Sequence, residues 1–226
     1  IFSIPGGAKT GDCWHGILEE LDFQAKPDEV RLAVDAGLDR YQICTGPTAG
    51  AIREERRAVH DMINRVLNTP LSEGAHAFRL KDVSLAERQS ELAFHFTLKQ
   101  QGQRQAASAM RRVLDGGWTS QGRNGAFLEE LATWDEPLPL GFMTGFIDLV
   151  FHHAGRFYIV DWKSNRRRGR AEDFDRPGLA EEMAKHAYYM QYMLYTVAVH
   201  AFLGQVLRDY DYDKHFGGVF YVFLRG

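Results

Sequence analysis

Helical spacing of apolar residues dominates the first third of the chain. In segment 11–23 the apolar residues recur at positions i, i+3, i+4 and i+7, the spacing of one helix face. Segments 28–43 and 50–67 show similar spacing, the second with many charged residues between the apolar ones. The pattern therefore predicts three amphipathic helices. The apolar face of the first consists of Trp14, Ile17, Leu18 and Leu21.

Alternating and continuous apolar runs take over in the rest of the chain, where they predict strands separated by helices. Strands interspersed with helices are typical of an α/β fold. The predicted strands cover 91–98, two runs within 145–163, and 217–223. The predicted helices are a long one over about 182–203 and short helices or loop–helix segments over 103–114 and 124–134.

Three charged residues interrupt the two neighbouring apolar runs in GFIDLVFHHAGRFYIVDWKSN (145–165). A two-residue hairpin turn at Ala154-Gly155 places Asp148 directly opposite Asp161, with Cα atoms about 4.5–5.5 Å apart. Because side chains alternate along a strand, Lys163 shares the face of Asp161. The hairpin therefore predicts a cluster of two carboxylates and one ammonium group on one face of a sheet.

Two carboxylates at this separation repel, and their burial without a partner is unfavourable by several kcal/mol. A bound cation would remove both problems, and oxygen ligands favour Mg²⁺, Mn²⁺ or Ca²⁺ over zinc. The alternative is that Lys163 neutralises one aspartate while the other is solvated at a strand end. The neighbouring His152-His153 pair is rejected as a ligand pair, since adjacent strand residues point to opposite faces.

Composition narrows the classes of protein that fit. The 226 residues carry a net charge of −3, which gives no global signature of a nucleic-acid binder but leaves room for a local basic patch. The two cysteines are too few for a four-thiolate site and predict free thiols in a reducing compartment, the cytoplasm. We expect no transmembrane helix. From the sequences at its two ends, we expect this chain to be a piece of a larger protein.

The segment GGAKTG (6–11) resembles a phosphate-binding loop but does not match its motif at two positions. The motif G-x-x-x-x-G-K-[ST], placed on Lys9 and Thr10, requires glycine where this chain has Ser3 and Ala8. We therefore expect no ATP binding by these residues.

An aspartate in one strand followed by Asp-x-Lys in the next resembles the PD-(D/E)XK nuclease superfamily. The closer resemblance is to the RecB-type nuclease domain, the C-terminal part of the exodeoxyribonuclease V beta subunit, a helicase–nuclease. It spans most of the chain and implies a restriction-endonuclease-like core with a central mixed β-sheet flanked by helices. The ordered motifs that carry it are GDCWHGILEELDF, GFIDLVF, YIVDWKSN, HAYYMQYMLYTVAVH and DYDKHFGGVFYVFLRG.

The resemblance implies roles for individual residues. Asp148, Asp161 and His15 would bind Mg²⁺, a site that Mn²⁺ or Ca²⁺ can also occupy. Lys163 would act on the attacking water and stabilise the developing charge on the phosphate. It also implies one nuclease domain over 1–226. Within it, a helical N-terminal part over about 1–85 carries the histidine motif, and the nuclease core follows over about 86–226.

Other residues of the predicted site have structural alternatives. Gln191 and Tyr195 resemble the family's Gln-x-x-x-Tyr element beside the active site, but they also fit ordinary polar positions of a helix. Glu91 precedes an apolar strand and is predicted as a further acid of the site. His15, taken alone, fits a half-buried structural histidine. The basic loop formed by Arg166, Arg167, Arg168 and Arg170 is either solvated or a contact for DNA phosphates.

Together these features predict a metal-dependent DNA nuclease that prefers single-stranded DNA. The resemblance implies a role in double-strand break repair and recombination, within a RecBCD-type heterotrimer. One alternative is a catalytically inactive nuclease fold that binds DNA or assembles a helicase complex. Another is an unrelated cation-binding α/β domain.

Overall fold

A computed structural model describes residues 1–72, 77–98 and 141–226. Within these ranges the helices are α1 (Ala8–Glu20), α2 (Pro27–Arg40), α3 (Ala49–Asn68), α4 (Arg176–Lys185), α5 (Tyr188–Val206) and α6 (Tyr212–His215). The strands are β1 (Arg88–Leu98), β2 (Gly141–His153), β3 (Arg156–Lys163) and β4 (Phe216–Phe223). Short 3₁₀ helices cover Leu80–Asp82, Leu85–Glu87 and Ala171–Phe174. None of the helices in these ranges has the length and apolar character needed to cross a membrane.

The chain divides into two compact units. The first combines Ile1–Leu92 with Phe146–Gly226, and the second is Ala93–Gly145. The predicted short helices over 103–114 and 124–134 lie outside the described residues. The boundary near residue 85 between a helical part and a nuclease core stays a prediction.

The four described strands form one mixed sheet, which confirms the predicted α/β class. Its strand order is β1-β2-β3-β4, with β2 antiparallel to β3 and β3 parallel to β4. A parallel pair cannot be joined by a tight turn, so the chain crosses from β3 to β4 through α4, α5 and α6. The helices of this crossover carry part of the site described below.

The β2–β3 hairpin forms as predicted. Its turn residues have positive φ, 48° at Ala154 and 81° at Gly155, as a type I′ two-residue turn requires. The paired register extends from the turn to Leu149 opposite Val160. One further step in that register brings the two aspartates opposite each other. Because the turn sets the register, the face on which the charged residues lie is determined locally.

Helices α1, α2 and α3 form a hydrophobic core with one face of the sheet. The four residues of the apolar face predicted for the first helix are buried, although the helix ends at Glu20 and Leu21 follows it as the C-cap. Helix α2 approaches α1 closely, since a Cβ on Gly37 would lie 2.3 Å from Cγ1 of Ile17. Each large apolar side chain buried in this way stabilises the fold by about 1.5–3 kcal/mol. The core includes Trp14, Leu18, Val34, Leu38, Met62, Ile63, Leu149, Phe151, Val160 and Trp162.

A buried arginine near the end of the described chain fixes the segment before α1. Arg225 is 1% exposed, and its guanidinium donates hydrogen bonds to the carbonyl oxygens of Ile4 (3.1 Å), Pro5 (3.1 Å) and Ser164 (3.2 Å). It also lies over the ring of Trp14, 4.5 Å from the centroid. Burial lowers the Arg225 pKa to about 10. These bonds hold the start of α1 beside the end of β3.

The predicted single helix over about 182–203 is wrong. Helix α4 ends at Lys185 and α5 begins at Tyr188, because Ala187 adopts the left-handed conformation with a φ of 52°. That conformation is unfavourable for alanine by roughly 1–2 kcal/mol, so the sequence gives no local signal for it. The break changes the direction of the chain just before the residues of α5 that contact Lys163.

Candidate active site

The three charged residues of the hairpin lie in one buried cluster. Asp161 is 1% exposed and Lys163 is 9% exposed, so both are shielded by the protein. The Lys163 Nζ atom lies 2.5 Å from Oδ2 of Asp161. Asp148 is partly buried, and its Oδ2 accepts a 2.7 Å hydrogen bond from the backbone N–H of Trp162. The cluster predicted from strand alternation is therefore present in the folded domain.

Helix α1 places His15 next to Asp148. The Nδ1 atom of His15 lies 3.6 Å from Oδ2 of Asp148, an ion-pair distance that is too long for a good hydrogen bond. Burial lowers the pKa of His15, and the carboxylate of Asp161 opposes that shift. A neutral imidazole with a free nitrogen is the form that binds metals.

The two aspartates hold protons more tightly than ordinary carboxyl groups. Burial raises the pKa of Asp148 to about 6, against the backbone hydrogen bond and Lys163, which lower it. Burial also raises the pKa of Asp161 to about 6, with Lys163 lowering it and Asp148 raising it further. Burial is the main cause of both raised pKa values, and the repulsion predicted for facing aspartates adds to it at Asp161.

The ammonium group of Lys163 is surrounded by side chains of α5 and β4. It donates a 2.9 Å hydrogen bond to Oε1 of Gln191 and lies 3.9 Å from the ring centroid of Tyr188. The amide of Gln191 donates in turn to the Tyr195 hydroxyl at 2.7 Å, so the predicted i, i+4 pair does share one helix face. The Tyr221 hydroxyl has two acceptors within reach, the backbone carbonyl oxygen of Tyr188 at 3.0 Å and Oε1 of Gln191 at 3.3 Å.

Glu91 reaches the same site from β1. It lines one open cleft together with His15, and its carboxylate interacts electrostatically with His15 and Asp148. Its φ of 49° is unusual for a strand residue other than glycine, and strained residues of this kind cluster at functional sites. Burial raises the Glu91 pKa, and Glu19 raises it further.

The donor atoms of the site suit a hard divalent cation, although they are not gathered around one point. Carboxylate oxygens and one imidazole nitrogen are the ligands that Mg²⁺ and Mn²⁺ accept. Oδ2 of Asp161 is buried and accepts no well-aligned hydrogen bond, although the Lys163 ammonium is close to it. In the described part of the chain, no three His, Cys, Asp or Glu side chains converge closely enough to hold a metal ion.

The cleft beside the site has a volume of about 840 Å³. Its walls come from α1, from the loop that follows β3, and from α4. Two glycines of α1, Gly11 and Gly16, line the cleft, where the side chains of Ser164 and Tyr41 approach them closely. The cationic residues that line the cleft are Arg166 and Lys185, and the acidic ones include Asp12, Glu19 and Glu182.

The basic loop divides into two kinds of arginine. Arg166, Arg168 and Arg170 are exposed, and Arg166 also lines the cleft. The Arg167 side chain is 8% exposed, and its guanidinium lies 2.6 Å from a carboxylate oxygen of Glu181 and 3.1 Å from one of Glu182. Arg167 therefore forms ion pairs with Glu181 and Glu182 within the protein, whereas the other three arginines face solvent.

Sequence reasoning missed four residues around Lys163, which are Tyr188, Tyr221, Asn165 and Glu182. One signal was available, because Tyr188 precedes Gln191 by three residues and so shares its helix face. For Tyr221 the only local signal was its position in a predicted strand. Its place opposite Asp161 depends on the crossover that pairs β4 with β3.

The rejected histidine pair lies on β2 away from these residues. The His152 ring contacts the ring of Phe157, with centroids 4.9 Å apart. The His153 ring contacts Phe78, with centroids 4.6 Å apart. The two histidines thus have separate aromatic partners on different elements.

Comparison with known proteins agrees with this geometry. The family model of the PD-(D/E)XK nuclease superfamily matches residues 40–226, most of the chain. This chain belongs to the PD-(D/E)XK nuclease superfamily. The matched region contains both facing aspartates and Lys163, whereas α1 with His15 precedes it.

Several curated relatives share one name, RecBCD enzyme subunit RecB. The chain is 32% identical over 229 residues to that of Escherichia coli, covering 99% of this chain and 17% of the relative. It is 30% identical over 249 residues to that of Mycobacterium tuberculosis, covering 99% and 21%. With that of Haemophilus influenzae, 86 residues are 48% identical, covering 38% and 7%. The chain therefore spans about a fifth or less of the length of these relatives.

Proposed function

We propose that this domain is a divalent-metal-dependent nuclease that hydrolyses phosphodiester bonds in DNA, preferably single-stranded DNA. The observation that carries the proposal is the buried cluster of Asp148, Asp161 and Lys163, with His15 at the edge of Asp148. Membership of a nuclease superfamily supports the reaction class. The metal requirement rests on the carboxylate and imidazole donors of the site. The preference for single strands rests on the resemblance to the RecB-type nuclease domain.

Asp148, Asp161 and His15 would hold the ion, with Glu91 as a further acid at the same site. A bound Mg²⁺ would polarise the phosphoryl oxygen and supply a water of lowered pKa. Lys163 contributes a fixed positive charge beside these acids, where it can orient the attacking water and stabilise the transition-state charge. Gln191 restrains that ammonium group through its 2.9 Å hydrogen bond, and Tyr195 restrains Gln191.

The DNA strand would lie in the cleft that contains His15 and Glu91. Arg166 and Lys185 line this cleft, and Arg168 and Arg170 are exposed on the same loop as Arg166. Few phosphate contacts give weak binding that falls steeply with salt. We therefore expect the isolated domain to cut DNA slowly, most rapidly at low salt, and to cut blunt duplex poorly because nothing in the described domain supplies strand separation.

The names of the relatives support a place for the domain in a larger enzyme. They describe a subunit of the RecBCD enzyme, and we propose that this domain is the nuclease part of such an exodeoxyribonuclease V type assembly. It would act in the cytoplasm, in double-strand break repair and recombination, with DNA and the other subunits of a heterotrimer as partners. Any ATP use would belong to other parts of that enzyme, so cleavage by this domain should not need ATP.

The test is cleavage of end-labelled single-stranded DNA by the purified domain across a salt series. Four reactions are compared: Mg²⁺ alone, Mg²⁺ with ATP, Mn²⁺ alone, and chelator. We expect cleavage of single-stranded DNA with either metal, no stimulation of cleavage by ATP, and no cleavage in chelator. Cleavage of blunt duplex DNA under the same conditions should be much slower. Cleavage in chelator would overturn the metal requirement, and equal activity on blunt duplex would overturn the strand preference.

One observation favours a second candidate, a catalytically inactive module that binds DNA or assembles a helicase complex. Lys163 pairs with Asp161, and the described residues do not gather three ligands around one point. This candidate predicts DNA binding without cleavage under all four conditions. A gel-shift measurement on the same samples separates it from the nuclease.

A further inference from the structure

The ammonium group of Lys163 lies against an aromatic surface formed by two tyrosines. Its Nζ atom lies 3.9 Å from the ring centroid of Tyr188 and 5.4 Å from that of Tyr221. The two rings stack on each other with centroids 5.8 Å apart. A cation over a tyrosine ring within about 6 Å is attracted to the ring's electron-rich face, and more strongly when water is excluded. Lys163 is 9% exposed, so the contact is largely shielded from water.

A chain of polar contacts holds the ring of Tyr188 in place. Its hydroxyl donates a 3.1 Å hydrogen bond to Oδ1 of Asn165, and the Asn165 amide donates a 3.1 Å bond to Oε2 of Glu182. Arg167 donates a 3.1 Å bond to the other carboxylate oxygen of Glu182. The side chains of Glu182 and Arg167 are 9% and 8% exposed. The ring under Lys163 is thus anchored to the buried arginine of the basic loop.

We propose that Tyr188 is a positioning residue for Lys163, and that Asn165, Glu182 and Arg167 fix the orientation of its ring. A lysine side chain has a flexible four-carbon stem, so its ammonium needs restraint to stay at one point. Asp161 and Gln191 restrain it from two directions, and the Tyr188 ring covers a third. The importance of Tyr188 for cleavage rests on the proposed nuclease function, whereas the contact between Tyr188 and Lys163 does not.

The kinetic test uses three variants of the domain. Tyr188→Leu removes the ring, and Tyr188→Phe keeps the ring but removes its hydrogen bond to Asn165. Tyr189→Leu changes a neighbouring tyrosine on the same turn of α5, on another helix face. We expect the maximal cleavage rate to fall about tenfold in Tyr188→Leu and about threefold in Tyr188→Phe, and to stay within twofold in Tyr189→Leu. The DNA concentration at half-maximal rate and the Mn²⁺ affinity should change less than twofold.

A double-mutant cycle distinguishes positioning from general structural support. If Tyr188 acts through Lys163, adding Tyr188→Leu to Lys163→Ala should lower the residual rate by less than twofold. A further tenfold loss in the double variant, or a matching loss of Mn²⁺ affinity in Tyr188→Leu alone, would overturn the proposal. Melting temperatures of all variants show whether the fold is kept. If Tyr188→Leu does not fold, Tyr188→Phe and its cycle with Lys163→Ala carry the same test.

A spectroscopic readout keeps the contact testable without any activity. In protein labelled with ¹³C at lysine, the Cε signal of Lys163, assigned by its loss in Lys163→Arg, should be shifted upfield by the Tyr188 ring current. The shift should disappear in Tyr188→Leu and remain in Tyr189→Leu. An unshifted signal in the wild-type protein would overturn the contact. If the signal is shifted but the wild-type domain cuts no DNA, the proposed function fails and the contact stands.

Discussion

The two halves of the candidate site are built differently. The acidic half consists of His15, Asp148 and Glu91, which come from α1, β2 and β1. Its closest contact between titratable side chains is the 3.6 Å separation of His15 Nδ1 and Asp148 Oδ2, and His15 and Glu91 both line the open cleft. The backbone of Trp162 contacts both Asp148 and His15, whereas the described structure shows no hydrogen bond that joins two side chains of the acidic half.

The lysine half consists of Lys163, Gln191, Tyr188 and Tyr221, and its side chains bind one another. Gln191 accepts hydrogen bonds from both Lys163 and Tyr221, and the two tyrosine rings stack beside the ammonium group. Burial raises the pKa of Tyr188 and of Tyr221, so both hydroxyls keep their protons and act as donors. Asp161 lies between the halves and contacts Lys163.

The difference shows which part of the site is held in place by contacts within the protein. Carboxylates that repel each other gain little from closer approach, so the acidic half leaves donor atoms that a cation could use. The lysine half has complementary hydrogen bonds around one ammonium group, with the Asp161 carboxylate at its border, so it closes on itself. A charge held in a fixed position before the reaction is what electrostatic stabilisation of a transition state requires. We therefore expect the acidic half to determine metal binding and the lysine half to determine the rate.

The largest effect should come from neutralising the facing aspartates. In the double variant Asp148→Asn/Asp161→Asn, we expect the Mg²⁺-dependent cleavage rate to fall by roughly a thousandfold or more, because both carboxylate charges that would hold the metal are replaced by neutral amides. The variant should melt no lower than the wild type in chelator, since a repulsive buried pair has been removed. The measurements are initial rates and melting temperatures. Asp209→Asn, on an exposed loop, is the matched control, and a double variant with more than a tenth of wild-type activity would contradict the metal site.

Removing the lysine should separate the rate from metal affinity. We expect Lys163→Ala to lower the cleavage rate by roughly a hundredfold. Its Mn²⁺ affinity should be kept or increased, because the ammonium group no longer competes for Asp161. Isothermal titration with Mn²⁺ measures the affinity, and the exposed Lys214→Ala is the control. If Lys163→Ala loses as much affinity as Asp161→Asn does, the division between the halves is wrong.

Two adjacent arginines should have different roles, Arg167 in the stability of the fold and Arg168 in DNA binding. Arg167→Met removes the partner of Glu182 behind the lysine half, and we expect the melting temperature to fall by roughly 5 °C. Arg168→Met alters an exposed arginine one residue further and should leave the melting temperature unchanged. It should instead raise the DNA concentration at half-maximal rate modestly, by about twofold. Thermal melts and DNA titrations on both variants measure these effects, and equal melting temperatures would contradict a supporting role for Arg167.

The smallest effect is a pH dependence of stability that belongs to the acidic pair. Both aspartates have a folded-state pKa raised to about 6, so the ionised pair destabilises the fold above that pH. This destabilisation is relieved as the pH falls through about 6 towards the ordinary carboxyl pKa. Between pH 7.5 and 5.5 in chelator, the wild type should therefore gain about 4 °C in melting temperature relative to Asp148→Asn/Asp161→Asn. A constant difference between the two proteins across this range would show that the carboxyls titrate normally.

The features that arise from local periodicity could be predicted from the residues of one or two neighbouring elements. A two-residue turn with Gly155 sets the register of its hairpin, and that register determines which residues share the face of Asp161. Helical spacing likewise identified the buried face of α1 and the pairing of Gln191 with Tyr195. These predictions succeeded because each depends on residues within one or two elements, where backbone geometry leaves few choices.

How those elements meet depends on long-range packing. Nothing local in the sequence signals the left-handed Ala187 that separates α4 from α5, or the crossover that places Tyr221 beside Asp161. The burial of Arg167 in a run of otherwise exposed arginines is a third example, since only the position of α4 supplies its acidic partners. Contacts between residues far apart in the chain depend on how whole elements pack. A local conformational preference is worth about a kcal/mol per residue, so packing overrides it wherever the packing energy is larger.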